Sequence, residues 1–234
     1  MTGEMERFWD ERAREDAAYF VNNLLDYRRA DMDRFWEGGE RIVDRTLETL
    51  DIDIRADDEI AEIGCGLGRL TRVLAERARR VWAFDVSSEM LRQAQELLGD
   101  VENVDWIHGD GSSLAPLADG SVGACFSFVV FQHLPDPAIT LDYVREMGRV
   151  LRPRGWSAFQ ISNDPSIHKP RGRDWRLTLK SLVGRAPRGQ SHPAWLGSAV
   201  DLCELERTAN EAGMDVERVE GAGTQFCLVL LRRR

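Results

Sequence analysis

The stretch Glu59-Ile-Ala-Glu-Ile-Gly-Cys-Gly-Leu-Gly-Arg-Leu-Thr71 constrains this chain more than any other. A short apolar run ends in a glycine-dense turn. Leu67, Leu70, Val73, Leu74 and Ala78 then fall on one face at helical spacing. The pattern predicts a strand, a tight turn and a helix. Glycines at 64, 66 and 68 allow a sharp turn and leave no Cβ between backbone and ligand. The helix start beyond them offers free N–H groups to a negative group.

The same alternation continues downstream. Arg80–Asp85 reads as a second strand ending on an acid, and Ser87-Ser-Glu-Met caps a helix to about Leu98. Val104–His108 is a third strand, followed by Gly109-Asp-Gly111. Val122–Val130 is apolar enough to be a central strand buried on both faces. Asp136-Pro137 opens a helix carrying Leu141, Val144, Met147 and Leu151; Arg152-Pro-Arg-Gly155 breaks it, and Trp156–Ile161 is a fifth strand. A helix over about 198–212 and two strands, 214–219 and 225–231, close the chain as an edge hairpin. Strands alternating with helices predict an α/β fold with a doubly wound, mostly parallel sheet.

Two further segments frame this core. Residues 1–50 read as an N-terminal helical cap of two helices, the second capped within Asp31-Met-Asp33, and 51–234 as the main domain. Residues 163–197 interrupt the rhythm as a lid-like insert with one short helix around 175–182. It holds Lys169, Arg171, Arg173, Arg176, Lys180, Arg185 and Arg188 against one acid, Asp174, in a chain of net charge −9. A solvated loop and an anion-recognising lid are both compatible with that composition.

Composition narrows the class. At 234 residues, 43% hydrophobic and 30% charged, the chain suits one sizeable globular domain. Cys65, Cys125, Cys203 and Cys227 lack framework or metal-ligand spacing and read as free thiols. No tight His/Asp/Glu cluster suggests a metal. The charged first 16 residues do not look like a secretory leader, and no apolar run reaches membrane-spanning length, so the expected compartment is the cytoplasm.

The ligand over the glycine turn follows from its frame. In a dinucleotide fingerprint of the G-x-G-x-x-G type, Arg69 would stand at the third glycine, where a bulky side chain argues against pyrophosphate. The pattern Glu62-Ile-Gly-Cys-Gly-Leu-Gly68 resembles instead the first motif of the class I S-adenosylmethionine (SAM)-dependent methyltransferases. Asp85, Gly109-Asp110 and Phe131-Gln-His-Leu-Pro-Asp136 with Leu151-Arg-Pro-Arg-Gly155 resemble further family motifs, in order, over roughly residues 33–162.

The resemblance implies a seven-stranded sheet with an antiparallel last strand, SAM as cofactor and S-adenosylhomocysteine (SAH) as product. It implies donor contacts from Glu62, Gly64, Cys65, Gly66, Gly68, Asp85, Val86, Met90, Gly109, Asp110, Gly111 and Phe128. Asp85 would accept from the ribose hydroxyls and Asp110 from the adenine amino group. The acceptor would lie beyond the strand C-termini, where Gln132 and His133 follow the fourth strand and Asn163 and Asp164 the fifth, with His133 as the candidate base. Tyr19, Tyr27 and Arg28 of the cap, with Arg171, Arg173 and Arg176, are candidate substrate contacts.

The expected activity is methyl transfer to oxygen or nitrogen of a small molecule, with carboxylate, phosphate or sugar-nucleotide acceptors favoured by the basic insert. A SAM-binding sensor without transfer activity and an RNA or protein methyltransferase are the alternatives. A membrane partner is not expected.

Overall fold

The computed structural model describes residues 2–168, 187, 189 and 192–234. Its core is a seven-stranded sheet of order β3-β2-β1-β4-β5-β7-β6. The strands are β1 (Glu59–Ile63), β2 (Arg80–Asp85), β3 (Val104–His108), β4 (Val122–Ser127), β5 (Leu151–Ile161), β6 (Met214–Glu220) and β7 (Cys227–Arg233). The first five pair in parallel, and β7 runs antiparallel to both β5 and β6. The closing hairpin therefore enters the sheet through its second strand, and β6 takes the edge.

Helices cover both faces: α1 (Thr2–Val21), α2 (Met32–Leu50), α3 (Thr71–Arg77), α4 (Ser88–Leu97), α5 (Pro137–Val150), the short α6 (Pro193–Leu196) and α7 (Leu202–Glu211). Period-two alternation divides the strands between two cores. Ala61, Ile63, Cys125 and Phe159 join Val144, Met147 and Leu205 on one side. Ile60, Ala124, Phe126 and Ala158 join Val43, Leu74 and Leu91 on the other. Every residue of β4 is buried, as a strand covered on both faces must be.

Helix starts follow their caps. The side chains of Asp31, Ser87 and Asp136 accept from backbone amides of α2, α4 and α5. Several boundaries differ from the sequence reading. Strand β4 stops at Ser127 and not at Val130, and β7 spans Cys227–Arg233 and not 225–231. Strand β5 begins at Leu151, and Arg152–Gly155 bulge out of the ladder between the pairs Val122–Leu151 and Ala124–Trp156. Helix α7 begins at Leu202 because Asp201 caps it through the Glu204 amide; Val200 instead donates to the Ser162 carbonyl. The helix expected around 175–182 lies outside the described residues.

The two N-terminal helices do different work. The α2 side chains Val43 and Leu50 join a sheet core. Helix α1 is broken at Asp16, whose backbone is extended (φ −173°, ψ 81°), and lies over the C-terminal ends of the strands.

Candidate active site

The floor of the main cavity is the β1 turn. Gly64 and Cys65 donate to the Phe84 carbonyl at 2.8 and 2.9 Å, tying β1 to the tip of β2. Gly64 and Gly66 have φ of +75° and +55°. A Cβ on Gly64 would stand 2.3 Å from Val130, and one on Gly66 2.8 Å from Val21. Both backbones thus lie bare under the cavity, closed in by residues of the opposite wall. Gly68 has another purpose: its missing Cβ makes room for Leu98 and Trp106, and it does not line the cavity.

Two carboxylates face this floor. Asp85 accepts from the amides of Gly66 and Ser87, each at 2.8 Å. Burial raises its pKa, and those amides together with that of Val86 oppose the rise. Each oxygen keeps acceptor capacity for a ligand hydroxyl. Glu62 is only 1% exposed, and its Oε2 has no hydrogen-bond partner among the described residues. Burial pushes its pKa up to about 7, against the pull of the Thr71 hydroxyl. An unpaired carboxylate oxygen in a cavity wall is a ready partner for a ligand ammonium.

The opposite wall is aromatic and apolar. Met5, Trp9, Phe20 and Val21 of α1 line it with Val129, Val130, His133 and Leu134. His133 Nδ1 lies 3.0 Å from the Trp195 carbonyl, so Nδ1 carries the proton; Nε2 lies 3.2 Å from the Gln132 amide nitrogen and accepts from it. Burial lowers the pKa of this imidazole to about 4 and keeps it neutral. Gln132 Oε1 in turn accepts from Gln160, whose own Oε1 accepts from Val129 N. This buried chain fixes the loop after β4, including Val129 at φ +59°.

Helix α1 is fastened above the cavity. Asp10 accepts from the Ser87 hydroxyl at 2.7 Å and from Glu89 N at 3.1 Å, adding a cap to α4. Gln93 donates to the Ala13 carbonyl, and Glu6 lies 3.3 Å from His108. On the far side His192 stacks on Phe8 at 4.3 Å.

A methyltransferase-domain family profile matches residues 61–159. A trans-aconitate 2-methyltransferase from Azoarcus sp. is 34% identical over 180 residues, covering 70% of this chain and 67% of that protein. The chain belongs to the class I SAM-dependent methyltransferases. A ubiquinone biosynthesis O-methyltransferase from Nitrosospira multiformis is 28% identical over 71% of this methyltransferase and 66% of its own length. The matched stretch thus spans about two thirds of these relatives. Among solved structures, Haemonchus contortus phosphoethanolamine N-methyltransferase 1, in complex with phosphoethanolamine and S-adenosylhomocysteine, aligns with TM-score 0.68 and 17% identity. It covers 99% of this chain and 48% of that one. A Mesorhizobium loti SAM-dependent methyltransferase aligns with TM-score 0.61 and 20% identity, over 81% and 96% of the two chains. At these identities the likeness is one of fold.

The cofactor of this methyltransferase is SAM. The cavity fits it: a glycine floor without Cβ atoms, an unpaired carboxylate oxygen at Glu62, a carboxylate with spare acceptor capacity at Asp85, and the apolar walls Val86, Met90 and Phe128.

Of the sequence-derived donor residues, Glu62, Gly64, Cys65, Gly66, Asp85, Val86, Met90, Gly109, Gly111 and Phe128 line one cavity, joined by His133. Asp110 does not. It is exposed, and its carboxylate accepts from the amides and hydroxyls of Ser112 and Ser113. Cys65 is buried with its pKa pushed well up, so its thiol stays protonated.

The acceptor-side candidates divide further. Tyr19 packs on Phe20 and Tyr27, Tyr27 donates to Glu15, and Arg28 lies over the Tyr27 ring; none of them lines the cavity. Asn163 is a clasp, donating to the Val200 and Thr224 carbonyls and accepting from Gly223 N. Asp164 accepts from Ser166 N. Arg171, Arg173 and Arg176 lie outside the described residues. Sequence reasoning missed Met5, Trp9, Val21, Val130, Leu134 and Tyr143 as lining; on the sequence, Trp9 looks like any core-facing helix residue. No group of metal-binding side chains occurs among the described residues, and none of the described helices is long and apolar enough to cross a membrane.

Proposed function

We propose that this methyltransferase transfers its methyl group to an oxygen of a small molecule enclosed between the β4 loop and α1. The carrying observation is the fastened roof. Asp10, Ala13 and Glu6 hold α1 across the cavity, leaving room for a compact acceptor and obstructing a polymer. The trans-aconitate and ubiquinone-pathway relatives support a small acceptor, and the latter supports oxygen.

When bound, SAM supplies a methyl on a sulfonium that is already activated for in-line displacement. The chain's task is to position. Asp85 would grip the ribose hydroxyls, Glu62 the ammonium, and the Gly64–Gly66 backbone would seat the methionyl part. Orientation of this kind contributes up to about 7–11 kcal/mol. His133 presents a neutral Nε2 that an acceptor hydroxyl could engage in place of the Gln132 amide. With a pKa near 4 it orients the hydroxyl and takes the proton only as the C–O bond forms.

Replacing His133 by Ala is expected to lower kcat about 100-fold with the KM for SAM retained. Normal turnover in that variant would retire the assignment. An anionic acceptor draws support from the trans-aconitate relative and from the 169–188 sequence. Against it, no cationic side chain of α1 lines the cavity among the described residues, Arg12 lying behind Phe8 and Phe20.

A further inference from the structure

We infer that the acceptor is a flat, uncharged ring carrying the hydroxyl to be methylated, and that Trp9 and Phe20, with Trp195 behind them, select it. This rests on the O-methyl transfer proposed above.

The cavity is polarised. Its charged lining residues, Glu62, Asp85 and Arg69, stand at the glycine turn, the donor end. The roof end holds Met5, Trp9, Phe20, Val21 and Leu134, with His133 as its titratable group, held neutral. Among the described residues no cationic side chain lines this end, and Arg12, behind Phe8 and Phe20, is paired with Glu15. A carboxylate or phosphate seated there would be desolvated without a partner among them, at a cost of several kcal/mol. An ammonium would suit aromatic walls in isolation. Beside a sulfonium, however, it would bring two positive charges within a methyl group's reach, whereas charge developing on a hydroxyl oxygen is stabilised there.

The rings themselves indicate the shape. Trp9 meets His133 edge-on at 5.7 Å and 76°, and Phe20 meets Trp195 edge-on at 5.6 Å and 87°. Trp195 stands 5.4 Å from His133 and 6.5 Å from Trp9. Such a cluster presents ring faces and edges together, which a planar guest meets in offset or edge-to-face contact. His133 lies within it, so a ring seated against Trp9 places its hydroxyl near Nε2. The backbone holds this arrangement in place: a Cβ on Gly197, just beyond α6, would stand 1.7 Å from the Gln132 carbonyl oxygen, so α6 and Trp195 approach the β4 loop as closely as glycine permits.

The test is titration calorimetry on the full chain saturated with S-adenosylhomocysteine. The probes are catechol, trans-aconitate and phosphoethanolamine. Catechol is expected to bind saturably and the other two far more weakly. Trp9→Ala should weaken catechol about tenfold, and Trp9→Phe should restore most of it, with S-adenosylhomocysteine still bound. Phe20→Leu is the second variant if Trp9→Ala does not fold. The inference is overturned if either aliphatic probe binds as tightly as catechol, if catechol fails to bind, or if its binding ignores both substitutions. Failure of S-adenosylhomocysteine to bind the parent chain would instead overturn the donor site itself, so the two failures are distinguishable.

Discussion

The floor and the roof of the cavity are built in opposite ways. The floor comes from residues 62–66 and 84–90, two short stretches whose backbones touch directly where the Gly64 and Cys65 amides donate to the Phe84 carbonyl. The roof is assembled from α1, the β4 loop and α6, which are distant in sequence and meet through rings and side-chain hydrogen bonds. Backbone construction leaves few alternatives, so the floor can serve one donor across many proteins. Side-chain construction can change by single substitutions, which suits the acceptor half.

Substitutions should respect this division. The largest effect is expected from Asp85→Ala, which removes a charged acceptor and leaves the Gly66 and Ser87 amides unpaired. Donor affinity should fall by about 100-fold or more, read by calorimetry with S-adenosylhomocysteine. Unchanged affinity would remove the ribose role and with it the contrast. Gly66→Ala comes next. A side chain at φ +55° strains the backbone by about 1–2 kcal/mol, and its Cβ meets Val21 of the roof at 2.8 Å. Both melting temperature and donor affinity should drop; an unaffected protein would mean the floor tolerates side chains after all.

Smaller effects should come from the fastenings. Asp10→Ala removes a cap on α4 and should cost about 1 kcal/mol. It should speed S-adenosylhomocysteine release in stopped-flow traces, and an unaltered rate would show that α1 does not bar the exit. The two titrating groups give opposite acid–base signatures. His133 titrates near 4 folded against 6.5 ordinarily, so its contribution is complete above pH 6.5 and lost as pH falls toward 4. Glu62, raised to about 7, contributes most below pH 4.5, and its contribution is lost as pH rises through 7. Urea unfolding across this range should lose the acid-side decline in His133→Gln and the alkaline-side decline in Glu62→Gln.

The same division explains what could be read from the sequence. Asp31, Ser87 and Asp136 announce their helices locally, and the glycine turn with Asp85 is a short-range pattern, so the sheet and the donor floor were legible. Asp110 stands outside the cavity lining because the two serines that follow it capture its carboxylate, a turn signal that competes with a ligand role. Tyr19 stands off the cavity for another reason: it packs on Phe20 and Tyr27, while its neighbours Phe20 and Val21 take the cavity-facing positions. Nothing local distinguishes Trp9 from a core tryptophan; its meaning depends on Trp195 and His133, which only the fold brings near.

Ser87 gives the molecule one more property. Its amide donates to Asp85, while its hydroxyl accepts from Met90 and donates to Asp10. One residue therefore joins the acid of the donor site to the helix overhead, so emptying that site and lifting the helix draw on a shared equilibrium. Turnover on such a scaffold is expected to be compulsory in order, with the donor first in and its spent form last out. Ser87→Ala is the change that should loosen that order, visible as a shift in the product-inhibition pattern of S-adenosylhomocysteine.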